Sequence, residues 1–126
     1  MKRLVPLLAA ASLFVAPVAG AQVVEKDFEA ATAGELAKLC AAGETDAWHG
    51  YAIGFCYGWI AGVEQFYDAL VADGRFDVKP TICPADEISR EEARTIFLAW
   101  MKANPGKAGV ASLDGMIQAL RAKYPC

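Results

Sequence analysis

Residues 48–70, WHGYAIGFCYGWIAGVEQFYDAL, decide the fold. Apolar side chains fall at Trp48, Ala52, Phe55, Cys56, Trp59, Ile60, Val63, Phe66, Tyr67 and Leu70, the three-and-four spacing of one buried helical face. Gly50, Gly54, Gly58 and Gly62 recur at every fourth position, so they line a smooth helix-packing groove beside that face, open to a second backbone. Each glycine costs a helix interior about 1 kcal/mol relative to alanine, so tertiary contacts must hold the segment helical. The pattern predicts the central helix of the fold. The run is long enough to span a bilayer, but His49, Glu64, Gln65 and Asp68 fall within it, with the polar ones on one side, a distribution that a spanning helix rarely accepts.

Upstream, the chain begins MKRLVPLLAAASLFVAPVAGAQ. Lys2 and Arg3 precede an apolar stretch from Leu4 to Val18, and Ala19-Gly20-Ala21 follows, which is the order of a secretory signal cut after Ala21. The expected division is a signal peptide at 1–21 and one small domain at 22–126, exported to the periplasm; that remainder is too short for two independent cores. The formal charge is −3, and losing Lys2 and Arg3 takes it to −5. No basic patch is left, which argues against nucleic acid and anionic lipid as partners and for a basic one. Cys40, Cys56, Cys83 and Cys126 all lie in the exported part, an even number that predicts two disulfides. Three pairings are open. Cys40 with Cys56 and Cys83 with Cys126 is favoured, because each pair joins neighbouring elements without crossing; loop entropy assigns them about 3 and about 4 kcal/mol.

Taken in order, Gln22 to Ala31 shows no firm period and reads as a loose arm. Thr32 and Glu35 have capping-box spacing before a short helix that buries Leu36, Leu39 and Cys40 and stops near Gly43 in a left-handed turn. Thr45 or Asp46 caps the central helix, which runs to about Ala72 and ends at Asp73-Gly74. Residues 75–87 carry two prolines and read as an extended connector tied down by Cys83. Ser89 and Glu92 repeat the capping-box spacing ahead of a helix with Ala93, Ile96, Phe97, Trp100 and Met101 on its buried side, broken at Asn104-Pro105-Gly106. A last helix over 107–123 places Val110, Leu113, Met116, Ile117, Leu120 and Tyr124 at helical spacing, and a disulfide at Cys126 would tether it. The fold class is all-α: a small disulfide-stapled domain of four principal helices.

Catalytic residue types do not assemble. His49 is the single histidine, Thr32 and Ser89 serve as caps, and oxidised cysteines leave no thiolate nucleophile and no Cys-x-x-Cys redox pair. Their spacing fits no zinc knuckle, and Glu91 and Glu92 complement a helix dipole. The expectation is no catalytic set, no metal and no cofactor. Trp48, Trp59 and Trp100 read as core. Tyr51, Tyr57 and the glycine groove are candidates for a subunit or partner contact, and the exposed charges Asp73, Arg75, Asp77 and Lys79 mark a candidate partner-binding loop.

One set of landmarks spans nearly all of the exported part: Leu39-Cys40, Cys56-Tyr57-Gly58-Trp59-Ile60-Ala61-Gly62, Ile82-Cys83-Pro84, a leucine-containing helix ending before Pro105, and Tyr124-Pro125-Cys126. In their order and spacing these resemble the Rap/Tai immunity proteins, periplasmic antidotes to peptidoglycan amidase toxins delivered by type VI secretion. The chain departs at Trp59, where such sequences often carry tyrosine. The resemblance implies a helical, disulfide-bonded, often homodimeric protein that occludes the active-site cleft of a cognate toxin and catalyses nothing itself. Its shared residues are scaffold cysteines and glycines, so no contact residue is carried over. Two other classes fit an exported helical scaffold without catalytic residues. A periplasmic acid-stress chaperone would loosen or dissociate at low pH and expose apolar surface, and a small-ligand carrier would line a pocket with the tryptophans. An unassigned envelope scaffold is the fallback.

Overall fold

Four α-helices form among residues 22–74, 77 and 79–126, which this computed structural model describes. They are α1 (Ala33–Ala41), α2 (His49–Asp73), α3 (Arg90–Ala103) and α4 (Ser112–Lys123), with 3-10 turns at Glu25–Glu29 and Pro105–Lys107. The expected signal peptide, 1–21, lies outside the described residues, as do Arg75, Phe76 and Val78. Extended pairing among the described residues is limited to two isolated bridges, Thr32 with Ala111 and Ile82 with Pro125. The domain is all-α.

Helix α1 is the hub, in place of α2. Thr32 Oγ1 accepts from the Glu35 N–H at 3.2 Å and Glu35 Oε2 accepts from the Thr32 N–H at 3.0 Å, the full reciprocal cap. The next two free N–H groups, of Ala33 and Gly34, donate to the carbonyls of Val110 and Ala108 at 2.8 and 2.9 Å, and Ser112 N–H returns a bond to Ala31 O at 3.2 Å. Residues 108–111 are therefore a strap across the start of α1, and the last helix begins at Ser112 rather than at Lys107. Ala33, Leu36, Leu39 and Cys40 are wholly buried, and α1 packs against the N-terminal turn, α2, α3 and α4. Phe97 from α3, Ala52 and Cys56 from α2, and Met116 and Ala119 from α4 complete the core.

The glycines that permit close packing are Gly34 and Gly115. A Cβ on Gly34 would lie 3.1 Å from both Cβ and O of Ala108, and one on Gly115 would lie 2.7 Å from the Ala33 Cβ. By contrast, a Cβ built on Gly50, Gly54, Gly58 or Gly62 meets nothing within 4 Å. At about 100° per residue, each step of four advances about 40° around the helix, so the four glycines drift across the side opposite Cys56 and face outward. Among the described residues, no helix uses them as a groove. The tryptophans also lie outside the core: Trp48 is exposed, and Trp59 and Trp100 are half-buried against it.

The N-terminal segment is docked, not loose. Val23 is buried and its N–H donates to Asp46 Oδ2 at 2.8 Å. Buried Asp27 accepts the Val24 N–H at 2.9 Å and the Lys38 ammonium at 3.0 Å, while Phe28 packs edge-on against Trp48 and Phe55. Two helix ends also differ from the sequence reading. Ala42, at φ −54°, closes α1, so Gly43 supplies no left-handed stop; that role falls to Gly74, at φ +66°, after α2. Asp46 caps the turn ahead of α2 by accepting the Trp48 N–H at 2.8 Å, and Trp48 itself holds the N-cap position with no side-chain bond.

Two disulfides clamp this frame in different ways. Cys40–Cys56 joins α1 to α2 with both residues fully buried. Cys83–Cys126 joins the connector to the chain end with both residues exposed. Cys83 N–H also donates to Tyr124 O at 3.0 Å, so the connector is pinned twice at that point.

Candidate interaction surface

Helix α2 outruns its neighbours. At 1.5 Å per residue its 25 residues extend about 37 Å, against about 21 Å for the 14 of α3 and about 14 Å for the 9 of α1. Its last buried positions are Ile60 and Ala61, and beyond Glu64 every residue is exposed except half-buried Leu70. The apolar face continues regardless, leaving Phe66 64 % exposed, with Tyr67 at 37 % and Val71 at 43 %. Glu64, Asp68 and Asp73 interleave with it, and α2 contains no Lys or Arg. Burial therefore does little to hold this end of α2 within the free chain. Exposed apolar groups rimmed by charge have the composition of an interaction surface.

At its other end, α2 carries Tyr51, 74 % exposed, edge-on to Trp48 at 6.1 Å between ring centroids. The outward glycines lie between these two aromatic ends. Tyr57 is committed elsewhere. Its hydroxyl donates to the Glu91 carboxylate, which also accepts from Arg94 Nη1 at 3.0 Å. Arg94 Nε in turn donates to Cys40 O at 2.7 Å, and its guanidinium sits 5.9 Å from the Tyr57 ring centroid. These contacts lock α1, α2 and α3 together. The hydrogen bond to Glu91 holds the Tyr57 hydroxyl above its ordinary range, and the same bond, helped by Arg94, holds the Glu91 carboxyl below its own. Glu92 likewise accepts from the Tyr124 hydroxyl and raises it.

Of the expected partner-binding loop, Asp73 is the last residue of α2, Asp77 and Lys79 lie exposed in the connector, and Arg75 is outside the described residues. The connector leaves at Gly74 and is re-anchored at Cys83. Sequence reasoning placed Phe66, Tyr67 and Leu70 on the buried face, and missed that burial along α2 ends at Ile60 and Ala61. The signal available was Glu64 and Asp68, which interrupt the apolar run where cover ends.

Chemical groups are sparse around this surface. His49 donates from Nδ1 to Ala42 O at 3.0 Å, a structural bond closing the turn between α1 and α2. All four cysteines are in disulfides. Among the described residues no cluster of His, Cys, Asp or Glu is placed to hold a metal, and no helix is long and apolar enough to cross a membrane.

A family model described as Rap1a immunity proteins matches residues 32–126, from the Thr32 cap through all four helices and both disulfides. No significant match appears among curated proteins or solved structures.

Proposed function

This chain belongs to the Rap1a immunity protein family, and from that premise we propose that it is cut after Ala21, works in the periplasm, and neutralises a peptidoglycan amidase delivered by type VI secretion by filling the enzyme's active-site cleft. The family match over residues 32–126 carries the reading. An immunity protein acts by binding a cognate toxin, and that task needs a rigid scaffold and a complementary surface, with no reaction of its own.

Exposed aromatic side chains support occlusion, because burying such an anchor in a concave site supplies much of the energy of a tight interface. Phe66, seven residues before the end of α2, is that anchor, and Asp77 and Lys79, exposed in the connector, supply polar contacts. The carboxylates along α2 favour a cationic rim on the toxin. The outward glycine face with Tyr51 is assigned to a second copy of the chain.

Co-expression tests this. An amidase is expected to be encoded beside this gene; directed to the periplasm, that enzyme should lyse cells, and the full chain should rescue them, whereas a chain lacking residues 1–21 should not. Lysis unabated by the exported chain would remove the immunity role for that toxin and leave an envelope scaffold.

A further inference from the structure

We propose that Gln22 is a modification site, at which the new N-terminus closes into a pyroglutamyl ring. The inference rests on cleavage after Ala21, which makes Gln22 the first residue of the exported chain and frees its α-amine. That amine attacks the side-chain carbonyl carbon Cδ of the same residue. The new Cα-amine-to-Cδ bond closes a five-membered lactam, the Cδ–Nε2 bond breaks, and the amide nitrogen leaves as ammonia with the proton lost from the amine. No oxidant, metal or second substrate is consumed.

The structure leaves this reaction unobstructed. Gln22 is exposed, and its side-chain amide has no hydrogen-bond partner among the described residues. One residue later, Val23 is 4 % exposed and its N–H is held by Asp46 Oδ2 at 2.8 Å. All atoms that react belong to Gln22, and the Val23 N–H is not among them, so the ring forms without breaking the contact that docks the segment. The two sites therefore divide the work: Asp46 anchors the chain, and Gln22 stays free to cyclise. The product loses the N-terminal positive charge and presents no free amine to exopeptidases, which suits a protein that must persist in the envelope.

The full chain, with its own signal, is expressed in a Gram-negative host, purified folded from the periplasm, incubated at neutral pH and followed by intact mass and N-terminal peptide sequencing. The expected result is a chain starting at position 22 that is lighter by one ammonia and whose terminus no longer reacts with amine-labelling reagents. The Q22A variant should keep a reactive amine and melt at the wild-type temperature, because the Asp46 contact is unchanged. A chain that starts at an open Gln22 and remains open through the incubation overturns the modification while leaving the cleavage reading intact. A chain that starts at any other residue overturns both.

Discussion

Adding one methyl group at two different glycines should move stability in opposite directions. In Gly115→Ala the new Cβ would sit 2.7 Å from the Ala33 Cβ, and both atoms are fixed by the backbones of α4 and α1, so neither can rotate away. Relieving the clash means parting the two helices where α1 is most buried. Overpacking of this kind costs about 1–3 kcal/mol, against which the better helix propensity of alanine returns about 1 kcal/mol. The net expectation is a loss of up to about 2 kcal/mol. In Gly58→Ala the new methyl meets nothing within 4 Å, and only the propensity gain of about 0.5–1 kcal/mol remains. In a domain of this size each kcal/mol shifts the melting temperature by roughly 4–8 °C, so the two variants should fall on either side of the wild type. Urea denaturation followed by circular dichroism, with disulfides intact and at low protein concentration, gives the values. A gain in Gly115→Ala, or a loss in Gly58→Ala at every concentration, would refute the assignment of which glycines pack. The Gly58→Ala gain is expected of the monomer at low concentration; a loss in Gly58→Ala that appears and grows with protein concentration is what the proposed contact of this face with a second copy predicts.

The exposure of the outer disulfide makes it the first to open: graded dithiol treatment with alkylation and mass spectrometry should label Cys83 and Cys126 well before the buried Cys40 and Cys56. Asp27→Ala should cost about 1–3 kcal/mol, because it removes a buried carboxylate bonded to both Lys38 and the Val24 N–H, and hydrogen exchange should rise over residues 23–30. Stability should fall at both ends of the pH scale. Asp46, held below its ordinary carboxyl range by the N–H groups of Val23 and Trp48, and Glu91, held low by Tyr57, contribute above their ordinary values of 3.8 and 4.5 and lose that contribution as pH falls through their lower folded values. Tyr57 and Tyr124, raised above 10.0, contribute below that value and lose it as pH rises through their folded values, so Tyr57→Phe should flatten the alkaline fall in the urea midpoint. Dye binding at pH 2 to 3 without loss of helix would favour the acid-stress chaperone instead.

The legible parts of the fold were those set by side chains three or four positions apart. Thr32 and Glu35 announce α1 because both halves of the cap are local. Ser89 and Glu92 have the same spacing, but only Ser89 caps, accepting the Glu92 N–H at 3.1 Å, because Tyr124 takes the Glu92 carboxylate. The start of α4 was misplaced for a similar reason: the carbonyls of Ala108 and Val110 are claimed by α1, a competition that no local period encodes. Length and glycine content drew attention to α2, yet centrality depends on how many neighbours a helix has, and nine-residue α1 touches them all. The docked N-terminal turn has too few residues for a period, and its anchor, Asp46, lies 23 positions away from Val23. The exposed apolar end of α2 was visible as residues but not as a surface, since what covers Phe66 depends on how separate elements pack and not on any local period.

A peptidoglycan amidase is expected to be encoded beside this gene, and the most direct test is a titration of the purified chain starting at Gln22 against that enzyme, read as release of cleaved peptidoglycan fragments. Binding through the projecting end of α2 predicts complete inhibition near equimolar ratio. Phe66→Asp, which should leave stability within about 0.5 kcal/mol because the side chain is exposed, should then require at least tenfold more protein. Undiminished fragment release at excess wild-type protein, or full potency in the folded Phe66→Asp variant, would contradict it.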